Sequence, residues 1–167
     1  MGTAIGKLVA ALAVTAILAM IGVTPAFAAD QVGFKAQASG SFIQSGSHLD
    51  LVSAGKASHL GRTTNSGDID IDLLTPPTCT GGFKLHDVET LTSIQDDDDR
   101  ITISIDSEAC PTATPGVYKI VGPYTVTGGA GRFAGASGVG TAVCSGDFIN
   151  NTFKFTLTGT ISRPSGG

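Results

Sequence analysis

Basic residues are scarce in this chain: Lys and Arg number 10 against 14 Asp and Glu in 167 residues, a formal charge of −4. They form no cluster, and the few aromatics are not interleaved with them. Nucleic acid is held largely by Lys and Arg neutralising its phosphates, so a nucleic-acid partner is excluded. Helical periodicity is missing beyond the first thirty residues, because Gly and Pro interrupt every long stretch. Recognised reaction signatures are missing as well. His48, His59 and His86 are too scattered for a zinc motif such as HExxH. Gly128-Gly129-Ala130-Gly131 lacks the lysine and following helix of a phosphate cradle. No Ser–His–Asp spacing and no paired catalytic glutamates can be identified, and no cofactor is implied.

Only one long apolar run is present, and it stands at the start. Lys7 supplies a short positive region, Leu8 to Val23 is almost continuously apolar, and Ala26-Phe27-Ala28 is a small-x-small cleavage box. That is the anatomy of a secretory signal peptide cut after Ala28 or Ala29. Pro25 and the cleavage box favour removal over a retained anchor, so no membrane span is expected in the mature protein. No cysteine follows the cleavage site to carry a lipid. Residues 1–28 are therefore read as the signal and 29–167 as one domain of a secreted, periplasmic or cell-envelope protein. The mature chain, at about 138 residues, is long enough for one core. Loss of Lys7 takes its formal charge to −5.

All three cysteines, Cys79, Cys110 and Cys144, fall in the exported part, where two of them are expected to pair. Cys79 and Cys110 each lie just outside an inferred hairpin and could meet at its open end, so this is the preferred pair. A buried thiol is the commoner fate of the third.

The mature chain reads as strands throughout. Val32, Phe34, Ala36 and Ala38 alternate with Gly33, Lys35 and Gln37, the period of a half-buried strand. Asp68-Ile-Asp-Ile-Asp-Leu73 puts Ile69, Ile71 and Leu73 on one face and three aspartates on the other, which the core requirement turns outward. Further strands are expected from Phe83 through Val88 to Leu91, over Arg100–Asp106 and Val117–Val126, and over Val139–Cys144 and Thr152–Ile161. Turn signals stand at Asn65-Ser66-Gly67, Thr75-Pro76-Pro77, Pro111 to Gly116, Gly128 to Gly131, and Gly146-Asp147 or Asn150-Asn151. Short connections favour antiparallel pairing. The fold class is all-β, a small antiparallel barrel of about eight strands, since closure is a simpler way than a sandwich to remove sheet edges.

The densest glycine segment, Thr127-Gly-Gly-Ala-Gly-Arg-Phe-Ala-Gly-Ala-Ser-Gly138, resembles the GGTGxFxxAxG signature of allene oxide cyclase-like and dirigent-like β-barrels, in particular their bacterial exported branch. Gly55-Lys-Ala-Ser-His-Leu-Gly61 is similar to the Gly-x-Ala-Thr-His-Leu-Gly segment of those bacterial proteins, and Thr156-Leu-Thr-Gly-Thr-Ile161 to their final strand. The resemblance implies an eight-stranded antiparallel barrel whose lumen, in plant relatives, binds a small hydrophobic substrate. Activity does not carry over with it. Ser137 stands where dirigent-like members carry arginine, Arg132 occupies a different slot, and the plant cyclases' lumen glutamate and tyrosines have no residue-by-residue match.

Candidate site residues are correspondingly few. His59, Arg132 and Phe133 are read as rim or ligand-contacting candidates, against the plainer roles of a turn histidine, an exposed cation and a core plug. Asp96-Asp97-Asp98-Asp99 offers hard oxygen ligands for Ca²⁺ but has no glycine to turn it and no fitted ligand spacing, so a solvated hairpin loop is preferred and no metal is assigned. The preferred function is a non-enzymatic binding or structural module taking a small apolar ligand in or at the barrel. The alternative is a cyclase- or isomerase-type enzyme acting on a small hydrophobic substrate in the lumen. The sequence leaves the oligomeric state open.

Overall fold

The computed structural model describes residues 30–162 and 164, so the signal peptide expected at 1–28 lies outside the described residues. Eight strands follow one another: β1 (Gln31–Ser45), β2 (His48–Ala57), β3 (Gly61–Asp72), β4 (Phe83–Ser93), β5 (Arg100–Pro111), β6 (Val117–Ala130), β7 (Gly138–Asp147) and β8 (Thr152–Ser162). Each pairs antiparallel with the next, and β8 returns to β1, closing the barrel. Closure leaves no sheet edge to aggregate. No helix among the described residues is long and apolar enough to cross a membrane.

Alternation decides the two faces. On β1, Phe34, Ala36, Ala38 and Phe42 are buried while Lys35, Gln37 and Ser39 are exposed. On β3, Ile69 is buried and Ile71 partly so, with Asp68 and Asp70 outside as the pattern requires; Leu73, expected on the inner face, falls beyond the end of the strand and is exposed. Asp72 accepts from the amides of Leu74 and Thr75 at 2.8 and 3.1 Å and so starts the β3–β4 loop.

Two turn assignments need correction. Asn65-Ser66-Gly67 is mid-strand in β3. Asn65 points into the lumen, where its Nδ2 donates to Ser53 Oγ at 2.8 Å, and a Cβ on Gly67 would meet Val88 O at 2.9 Å. Turn-like composition there serves a polar interior position and a close strand approach. Gly128 and Gly129 likewise belong to β6, which runs on to Ala130. The register between β5 and β6 slips at Thr102/Ile103, leaving Thr127 as the extra residue of a bulge. A bulge increases local twist and suits a barrel of this kind.

The β1–β2, β3–β4, β5–β6 and β7–β8 loops share one end. Phe148, in the last of these, packs on Phe42, Phe83 and Tyr118 with ring centroids 5.1, 5.7 and 5.2 Å away. At the same end Cys79 is bonded to Cys110, as preferred from the sequence. The other end is filled by Leu60 and Phe133, each only 1% exposed.

Candidate functional site

The polar interior of β4 follows from strand parity. Phe83 and Leu85 face the lumen, so the alternation carries Asp87 and Glu89 inward too, before Leu91 and Ser93. Val88 between them is turned outside. Asp87 is 9% exposed and Glu89 2%. Both border a partly enclosed cavity of about 50 Å³ whose other walls include Leu51, Ile69, Ile105, Cys144 and Phe155. Asp87 Oδ1 and Glu89 Oε1 have no hydrogen-bond partner among the described residues, nor do Asn65 Oδ1 and Tyr124 Oη.

Burial controls the chemistry here. Desolvation pushes the Asp87 carboxyl up to about 7; the nearby His86 pulls it back slightly and Asp68 adds to the rise. Glu89 is raised well above the usual carboxylate range, first by burial and then by Asp87. Burial thus favours the neutral, hydrogen-bond-donating form of Glu89, while Asp87 is poised to accept or release a proton near neutral pH. Cys144, the free cysteine, is half-buried against the same pair. Burial, with Asp87 and Glu89, pushes its thiol up to about 12, so it is a neutral wall residue and not a nucleophile.

A larger trough of about 710 Å³ runs over the outer wall across Gln37, Lys56, Lys119 and Lys154. It is open to solvent. The unpartnered acids border the small, less open cavity, and that is where the site is placed.

His59, Arg132 and Phe133 do come together, but at the opposite end from this cavity. The cavity's Phe42, Leu49, Ile120, Phe148 and Phe153 all belong to the disulfide-bearing half. His59 sits in the β2–β3 turn at φ 67°, its Nε2 3.1 Å from Gly33 O. Arg132 clamps Asp99: its amide donates to Oδ1 at 2.8 Å, Nε to Oδ2 at 2.7 Å, and Nη2 lies 2.6 Å from Oδ2. Nη2 also donates to His59 O at 3.3 Å, and the guanidinium lies over the buried Phe133 ring. The three residues form a latch over a packed end of the barrel.

The aspartate run is corrected in one member. Asp96, Asp97 and Asp98 are exposed, but Asp99 is buried. The Arg132 amide and guanidinium hold its carboxyl below the usual range. Gly131 (φ 60°) makes this possible, since a Cβ there would stand 2.4 Å from Asp99 Oδ1. The four aspartates do not gather into a metal-ligating group among the described residues. Asp99→Ala is expected to lower Tm by about 10 °C, a loss of charge-assisted bonds to Arg132, whereas Asp97→Ala leaves it within about 2 °C. Equal effects in thermal melts would remove the latch.

Sequence reasoning missed Asp87 and Glu89. The signal was available: the parity set by Phe83, Leu85 and Leu91 places both inside. No family model, curated protein or solved structure matches the chain.

Proposed function

We propose that this is an exported binding module of the allene oxide cyclase-like and dirigent-like barrel group, taking a small, mainly apolar ligand into the disulfide-bearing half of the lumen. The observation that carries this reading is the buried acid pair. Two carboxyls with unpartnered oxygens, on the wall of an otherwise apolar cavity, cost stability and return nothing to the fold. Such groups mark sites where a ligand's polar end completes the hydrogen bonding. Export through the signal peptide places the barrel in the periplasm, the cell envelope or the medium.

A cavity of about 50 Å³ holds one or two waters. A larger guest needs Phe148, a loop residue, to swing off Phe42, Phe83 and Tyr118. Phe148→Ala opens that route, and the variant is expected to bind an apolar fluorescent probe such as ANS at least about tenfold more tightly than the native protein, while losing about 3 kcal/mol of stability. The functional test is retention of compounds from a lipid and metabolite extract. Native protein is expected to retain a discrete apolar compound bearing a hydroxyl, carbonyl or amine, and Asp87→Asn/Glu89→Gln to lose it. Retention of nothing by native protein and Phe148→Ala alike would overturn the reading.

The enzyme alternative draws on the same pair: a proton donor at Glu89 beside an acceptor at Asp87 is the equipment of an isomerisation. Chemical change in the retained compound, abolished by Asp87→Asn, would select it over simple binding.

A further inference from the structure

The outer wall carries a second group of donors unrelated to the lumen. On β2, His48 and Asp50 stand two residues apart; on β3, Asp68 and Asp70 do the same. The register opposes His48 to Asp70 and Asp50 to Asp68, so the four side chains form a square on one face of two paired strands. His48 Nδ1 is 2.9 Å from Asp70 Oδ1. His48 Nε2 faces the other two carboxylates, 3.6 Å from Asp50 Oδ1 and 3.7 Å from Asp68 Oδ1. His48 Nε2 and one oxygen from each of Asp50 and Asp68 lie mutually within 4.8 Å.

From this geometry we infer that His48, Asp50 and Asp68 form a surface site for a zinc-type divalent ion, with Asp70 as the carboxylate that orients the imidazole. An imidazole nitrogen between two carboxylates is a donor set for a borderline ion rather than for Ca²⁺ or Mg²⁺, which take oxygen alone. Three protein ligands leave one tetrahedral position for water, so the site is open. Asp70 accepting from Nδ1–H fixes the tautomer with its lone pair on Nε2, the arrangement in which histidine binds zinc. Both strands belong to a closed barrel, so the donors are held by paired backbone and only short side-chain adjustments are needed to reach bonding distance. When His48 is protonated, binding releases the Nε2 proton to solvent and affinity falls with pH. The charged groups around the imidazole are Asp50, Asp68 and Asp70, with His86 opposite Asp70 in the next register position and Asp106 beyond it.

The competing role for His48 is that of a counter-ion to the three aspartates. Calorimetric titration with zinc chloride separates the two. One zinc per chain is expected at pH 7.5, with binding at least tenfold weaker at pH 5.5 and no displacement by millimolar Ca²⁺ or Mg²⁺. His48→Ala and Asp68→Asn should each weaken binding by at least tenfold, Asp70→Asn by about tenfold through the lost orientation, and His86→Ala not at all. These residues are exposed or half-exposed, and unchanged circular dichroism will show that the variants remain folded. Absence of zinc binding at pH 7.5, or binding that survives His48→Ala, would overturn the site.

Discussion

The barrel should lose stability as pH rises from about 5 to about 8, against the usual behaviour of a carboxylate-rich protein. The cause is the lumen acid pair. An acid whose pKa is higher in the folded than in the unfolded state is taken up protonated on folding, so its contribution is whole below the unfolded value. For Asp87 that value is 3.8, and the contribution drains as pH climbs through about 7. Glu89, raised by burial and by Asp87, acts in the same direction. Asp87 alone is expected to remove roughly 3 kcal/mol between pH 5 and pH 8, or about 10 °C in Tm. His48, whose pKa is raised mainly by its bond to Asp70, has the same sign: its contribution is whole below 6.5 and fades as pH rises through its higher folded value. It lies at the surface, where solvent screens it. Urea denaturation of Asp87→Asn/Glu89→Gln should therefore flatten most of the pH slope, whereas His48→Gln should leave it largely intact. Glu108, lowered to about 2 chiefly by Lys84, contributes above 4.5 and is lost only towards pH 2, outside this window.

Breaking the Cys79–Cys110 bond is the second large effect. The link closes 31 residues of chain, and restricting a loop of that size in the unfolded state is worth about 4 kcal/mol. Its loss also frees the loop between β3 and β4. That loop is otherwise held by Glu108, whose carboxylate accepts from the Thr78 and Cys79 amides and from the Lys84 ammonium at 2.9 Å. Cys79→Ala/Cys110→Ala should shift the urea midpoint downward by the equivalent of about 4 kcal/mol, and adding reductant to the native protein should do the same. Reductant should have no effect on the double variant. Cys144 remains a free thiol in both, so counting reactive thiols before and after reduction shows that the intended bond has been broken. An unchanged midpoint would mean that the loop's polar contacts, and not the bond, hold this end together.

Much of the barrel is legible in the alternation of its strands. Phe34 to Ala38 and Asp68 to Asp72 announce both strand and facing, and short connections announce antiparallel order. Asn65-Ser66-Gly67 misleads because turn composition is local, whereas the demand for a small residue at Gly67 comes from Val88 and Glu89 on β4, distant in sequence. Asp87 and Glu89 were within reach, since the parity of Phe83 and Leu85 extends through them; charged side chains are seldom buried, and that expectation hides the pattern. The Arg132 latch is less accessible. Nothing in four consecutive aspartates says that Asp99 alone is buried, because only the β6–β7 turn brings Arg132 to it across 33 positions. The glycine-rich segment is thus more than a bend: Gly131 gives Asp99 the space to receive the arginine. The square on β2 and β3 escaped because its histidine and aspartates come from two strands whose register the sequence does not display.

Carbon-13 NMR of the side-chain carboxyls, followed from pH 3 to pH 9, reads the lumen pair most directly. Asp87 should titrate near 7 and Glu89 should stay protonated well above the usual carboxylate range, both displaced when a retained ligand occupies the cavity. Ordinary midpoints near 4 for both groups would mean that the lumen is wet and the pair unremarkable, and would contradict the site.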